Sequence, residues 1–217
     1  MQLDRQDLID GLRDVVTAAR ANGITGVSIR IVGGAALRLA HFDRDTTADI
    51  DAQIEPMDRL APIIERIANE RGWPSTWLNN DAVMFIPAWG QAVDWEPILD
   101  DTNVSIAVAP IDALLAMKLN AARPGRDTDD IAKLLALTGI DSLAGAEAVF
   151  EAFYPGDALP ERCQVGRTDH LGRAARKARS AHAPRSGVRL DSKARLRRSN
   201  RTSRLPNDNH QSTLWLS

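Results

Sequence analysis

Residues 31–54 read IVGGAALRLAHFDRDTTADIDAQI, and this stretch decides how the rest of the chain is read. It closes a short β-branched run, VSIRIV (27–32), with Gly33-Gly34. AALRLA then supplies a turn or two of helix. From Thr46 to Ile54, Ile50, Ala52 and Ile54 alternate with Asp49, Asp51 and Gln53, the period of a half-buried strand. The unit is therefore strand, glycine pair, short helix, second strand. Glycines at that turn let backbone N–H groups approach an anion with no side chain in the way, and the helix start behind them favours negative charge. On a strand, residues i and i+2 share a face, so Asp49 and Asp51 present their carboxylates together. Mg²⁺ prefers such oxygens together with substrate phosphates to a full protein cage. Taken singly, Gly-Gly is commonly a plain turn and Asp-x-Asp a solvated edge. Their order within one unit is what points to a phosphate and a metal ion meeting here.

Working outward, Leu8, Ile9, Leu12, Val15, Val16 and Ala19 make one apolar helical face over residues 4–21, ended by Asn22-Gly23. Met57–Arg71 is a second amphipathic helix, with Leu60, Ile63, Ile64 and Ile67 inward and Gly72 closing it. Short strands are expected around WLNN, AVMFIP and QAVDWEPI, and a clearer one at VSIAVA (104–109). Pro110 suits a first helical position and opens IDALLAMKLNAA. A further helix over DTDDIAKLLAL follows the turn ARPGR, and another spans residues 143–153. There are no internal repeats. The fold class is α/β or α+β: a small mixed β-sheet core flanked by helices, over residues 1–109, with a helical C-terminal part of the same domain over 110–160.

A second stretch, MKLNAARPGRDTDDIAKLL, places Lys118, Arg123 and Arg126 on a helix and its following turn. Asp127, Asp129 and Asp130 open the next helix. Acids in a first helical turn complement the helix dipole and cap it, and that is their plain reading. Lys118 is less ordinary, because LLAMKLNAA is otherwise apolar. A lysine there must snorkel, pair or point into a site.

The Gly33-Gly34 and Asp49-Ile50-Asp51 pattern resembles the nucleotidyltransferase superfamily that includes DNA polymerase β and the aminoglycoside nucleotidyltransferases. The fuller form, VGGAAL followed by R-x-T-x-x-D-I-D, is most similar to the AbiEii and MenT group of bacterial nucleotidyltransferase toxins, with Arg44 and Thr46 or Thr47 at that group's basic and hydroxyl positions. The later stretch is similar to the group's K-L-x-A helix followed by R-D-x-x-D. The resemblance runs in order over residues 27–153, with dense matches only in these two stretches. It implies a nucleotidyltransferase fold, Asp49 and Asp51 as catalytic metal-binding residues for Mg²⁺ or Mn²⁺, and Gly33 and Gly34 holding a nucleoside triphosphate. It also implies Lys118 as phosphate contact and Asp127, or Asp130, as a distal carboxylate. The sequence departs from many superfamily members in lacking an acid on VSIAVA, where they carry a third metal-binding carboxylate; Asp94 is the nearest alternative.

The formal net charge of −2 over 217 residues hides a division. Residues 1–161 hold 13 Lys/Arg against 26 Asp/Glu, whereas residues 162–217 hold 14 against 3. The tail from 161 has few large apolar residues and no periodicity, which reads as a basic, disordered segment. It is suited to holding phosphates or to folding back on the acidic body. No run approaches the roughly 18 apolar residues of a membrane span, so no membrane partner is expected. MQLDRQDLID lacks the layout of a signal peptide. A single cysteine, Cys163, excludes an internal disulfide and fits a cytoplasmic protein.

Together these residues imply transfer of a nucleotidyl group from a nucleoside triphosphate to an acceptor hydroxyl, on the 3′ end of tRNA or on a protein. The family resemblance adds a toxin–antitoxin setting with a cognate antitoxin as partner. The alternative is a nucleotide-binding module of the same fold without turnover. A DNA-associated accessory role through the tail ranks last.

Overall fold

A computed structural model describes residues 2–41, 47–123, 125–164 and 190. Helix α1 (Arg5–Ala21) starts where Asp4 and Asp7 cap one another. The Asp7 N–H donates to the Asp4 carboxylate at 2.8 Å, and the Asp4 N–H to the Asp7 carboxylate at 2.9 Å. Its apolar stripe is buried at the six positions the periodicity marks. Strand β1 (Val27–Ile31) leads into α2 (Gly33–Ala36), which widens into a π-helical turn over Leu37–His41. Strand β2 (Ile50–Glu55) and helix α3 (Met57–Arg71) follow, the latter stopped by Gly72 in the left-handed conformation, φ 66°. Then come β3 (Leu78–Asn79), β4 (Glu96–Asp100), β5 (Val104–Val108), α4 (Ile111–Ala121), α5 (Thr128–Thr138), α6 (Leu143–Phe153) and a short α7 (Glu161–Gln164).

The fold is mixed α/β, with helices around a five-stranded mixed sheet in the order β3-β2-β1-β5-β4. β1 runs antiparallel to β2, with Ile31 opposite Ala52, and parallel to β5, with Ile29 opposite Ile106. α1 packs against α3, and α4 against both α5 and α6. Trp77 is fully buried, and its indole N–H donates to the Ile64 carbonyl at 3.1 Å.

Three expectations change. The second strand begins at Ile50 rather than Thr46; Thr47 instead forms an isolated bridge to Leu3. AVMFIP forms no strand but a 3₁₀ turn over Val83–Phe85. Asparagine side chains drive that change, because Asn79 bonds backbone locally and the Asn80 side chain takes a β2 amide, which ends the ladder. The Asp81 N–H donates to Asn79 Oδ1 at 2.8 Å, and Asn80 Oδ1 accepts from the Ile54 N–H at 3.1 Å. Third, the core reaches the segment read as a disordered tail from 161. Leu159 and Cys163 are buried, the Cys163 thiol lying 3.6 Å from the Leu119 carbonyl. Leu190 is buried too, and its N–H donates to the Ile98 carbonyl of β4 at 2.8 Å. Apart from residues 161–164 and Leu190, the expected disordered tail lies outside the described residues.

Candidate functional site

The end of β1 fixes the site. The Val32 N–H donates to the Asp51 carbonyl at 2.9 Å, so the two strands stay paired up to the point where the chain turns at Gly33. Gly33 has φ +64°, and a Cβ built there would lie 2.9 Å from Asp51 Oδ2. Both facts require glycine: a side chain would be strained in that backbone conformation and would press on the carboxylate. The first and last parts of the opening motif are thus in direct contact across the turn. They lie at the carboxyl end of β1 and the amino end of the antiparallel β2.

A cavity of about 140 Å³ opens over this contact. Gly33, Gly34 and Asp51 line it from the β1 side, and Asp81, Ala82 and Phe85 from the loop after β3. α4 contributes Leu114, Met117, Lys118 and Ala121, at the i, i+3, i+4, i+7 spacing of one helical face. Arg123 and Arg126 complete the wall from the turn after α4. Lys118 is thus among the lining residues, and of the alternatives its apolar surroundings leave, its ammonium takes pairing, with Asp127 and Asp130.

The cavity is divided by charge. The Asp51 carboxyl is pushed up from the usual carboxylate range by burial first, then by Asp49 and, more weakly, Asp81; Arg123 and Arg126 pull it down by less. No described residue donates a hydrogen bond to its side chain. Asp49 is half-buried just before β2, close enough to act on Asp51, but it does not line the cavity. Thr47, of the two candidate hydroxyls, donates to the Asp49 carbonyl at 3.2 Å, while Arg44 and Thr46 lie outside the described residues.

On the opposite side, Asp127 is fully buried and is not left for capping. Its Oδ1 accepts from Lys118 Nζ at 2.7 Å. Its Oδ2 accepts from Arg123 Nε at 2.9 Å and the Arg123 N–H at 3.0 Å. Burial opposes the charge on Asp127, but the bonds from Arg123 and Lys118 outweigh it and hold the carboxyl well below the usual range. Lys118 Nζ also lies 3.1 Å from Asp130 Oδ2. The structure thus brings Lys118, Asp127 and Asp130 together in one ion-pair cluster beside the cavity, with Asp127 outside its lining. It does not bring Asp94 there, which is exposed and outside the lining. The acid missed in the sequence is Asp81. The only signal for it was the Asn79-Asn80-Asp81 run, which marks a tight turn directly after the strand beside β2.

Whether a divalent cation fits is decided by the acids. Asp51, half-buried, without a donor among the described residues and repelled by Asp49 and Asp81, is a carboxylate that a cation would stabilise. Among the described residues no group of three or more His, Cys, Asp or Glu side chains is placed to hold a metal alone. Two carboxylates completed by phosphate and water oxygens match Mg²⁺. No helix among the described residues is long and apolar enough to cross a membrane. Comparison with protein-family models, curated proteins and solved structures finds no match to this chain.

Proposed function

We propose that the chain is a Mg²⁺-dependent nucleotidyltransferase that moves a nucleoside monophosphate group from a nucleoside triphosphate to an acceptor hydroxyl, on the 3′ end of tRNA or on a protein. The observation that carries this reading is the contact of Gly33 with Asp51 inside a cavity whose far wall is cationic. Gly33 and Gly34 leave the backbone open to the triphosphate, while Asp49 and Asp51 hold the metal. Bound there, Mg²⁺ (or Mn²⁺) would supply charge neutralisation at the α-phosphate and the leaving pyrophosphate. The acceptor hydroxyl oxygen attacks phosphorus in line and gives its proton to solvent, the α–β anhydride bond breaks, and pyrophosphate leaves. Such transfer needs little from the protein beyond positioning and charge stabilisation. Lys118 and Arg123, fixed by Asp127, form a rigid wall that requires no rearrangement during reaction. The toxin–antitoxin setting and a cognate antitoxin partner belong to this proposal and rest on the motif resemblance.

A binding module without turnover is the second reading. It is favoured by the lack of an acid on β5, and opposed by Asp81, which brings a second carboxylate to the cavity lining from another strand's loop. The test is a melting experiment with each of the four nucleoside triphosphates and Mg²⁺. The melting temperature of the wild type rises with nucleotide and metal together, and that of Asp49→Ala does not. An equal rise in Asp49→Ala removes the metal assignment.

A further inference from the structure

We infer that Arg126 is the cavity's principal contact for the phosphates of a polyphosphate ligand, and that Lys118 and Arg123 act behind it as a fixed wall. This deepens the nucleotide reading above and rests on it for the identity of the ligand, though not for the binding of polyphosphate itself.

The argument is one of which cations are already committed. Lys118 lies 2.7 Å from Asp127 and 3.1 Å from Asp130, and Arg123 reaches Asp127 through Nε at 2.9 Å and Nη2 at 3.2 Å. Two cations thus face two buried carboxylates, and their formal charges cancel within the cluster. Asp127 is fully buried, so pulling either cation toward a ligand would leave a desolvated carboxylate without its partner. Arg126 differs in its pairing. Like Arg123 it is exposed and lines the cavity, but its guanidinium forms no hydrogen bond or ion pair to any described residue. Its backbone is nonetheless tied down, since the Arg126 N–H donates to the Arg123 carbonyl at 3.3 Å and the Asp127 N–H to the same oxygen at 3.1 Å. Its charge is felt at Asp51, which places it over the same cavity as the carboxylate. A planar guanidinium whose donors meet no described residue, set on a fixed turn, matches phosphate oxygens bidentately. A buried, doubly paired ammonium does not.

Calorimetric titration of the full chain with inorganic tripolyphosphate, with and without Mg²⁺, tests this. Arg126→Ala is expected to weaken tripolyphosphate binding about tenfold or more, with Arg126→Lys between the two. Arg66→Ala, a surface arginine paired with Glu70 away from the cavity, should bind like wild type. Arg126 is exposed, so circular dichroism is expected to show an unchanged fold in its variants. Equal affinity in wild type and Arg126→Ala, or no tripolyphosphate binding by wild type, overturns the inference. Transfer activity is read separately: Arg126-dependent binding without transfer keeps this inference and rejects the enzyme, whereas transfer with Arg126-independent binding does the reverse.

Discussion

Replacing Asp51 with Asn is expected to make the ligand-free protein more stable and the liganded protein less so. Asp51 is half-buried, lacks a donor among the described residues, and faces Asp49 and Asp81. Burial and those neighbours raise its folded-state pKa above the unfolded value. The sign follows: folding is favoured by this group below the unfolded pKa, and that favour is lost as pH rises through the folded pKa. At neutral pH the ionised carboxylate is therefore a cost. Leaving a half-buried acceptor unsatisfied costs about 1 kcal/mol, which corresponds to about 2–4 °C in melting temperature for a domain of this size. Asn is nearly isosteric and leaves the contact with Gly33 intact. In melts without divalent ions, Asp51→Asn should lie above wild type at pH 7–8, with the gap closing toward about pH 4. With Mg²⁺ and nucleotide at a hundredfold excess over Kd, wild type gains about 2.7 kcal/mol and the order inverts. If Asp51→Asn melts below wild type without ligand at neutral pH, the carboxylate has a stabilising partner and the site argument fails.

Other substitutions separate packing from site chemistry. Gly33→Ala combines a left-handed backbone with a Cβ 2.9 Å from Asp51 Oδ2; it should cost about 1–2 kcal/mol in denaturant unfolding and lose the nucleotide-dependent melting shift. Asp127→Asn removes the buried carboxylate that Arg123 and Lys118 share, leaving Lys118 only Asp130, and should cost about 3–5 kcal/mol. Because the folded pKa of Asp127 is depressed, its contribution is present above the ordinary carboxylate pKa and lost as pH falls below about 4. A wild-type acid melt identical to that of Asp127→Asn would contradict this. Leu190→Ala should cost about 2–5 kcal/mol, and no change in unfolding midpoint would show that Leu190 contributes nothing to the β4 edge.

Much of the fold was legible because its signals are local. Met57–Arg71 is found residue for residue, since an unbroken 3.6-residue apolar period ends on a glycine that the stop requires. The β1–Gly33–β2 unit was legible because strand alternation and the glycine break coincide within a few residues. The loop between β3 and β4 was not. VMF looks like strand by composition, but Asn79 and Asn80 spend their side chains on backbone groups and end the ladder after two residues. The same turn delivers Asp81 to the cavity, and nothing in one-dimensional spacing connects it with Asp51 thirty residues earlier. Lys118 announced itself as a charge in an apolar helix. Its partners did not, because Asp127 reads as a helix cap until α4 and α5 are packed together. The burial of Leu190 was hidden within a segment whose composition is otherwise that of a solvated chain.

The most direct test of the central claim is transfer itself. Wild-type protein is incubated with each α-labelled nucleoside triphosphate, Mg²⁺, total tRNA and a protein extract, and both label and pyrophosphate are followed. The account predicts label on an acceptor with pyrophosphate released in equal amount, and loss of both in Asp51→Asn, a variant that remains folded. Failure of the wild type to label RNA or protein with any of the four nucleotides, while still binding them with Mg²⁺, would contradict it and leave a nucleotide-binding module.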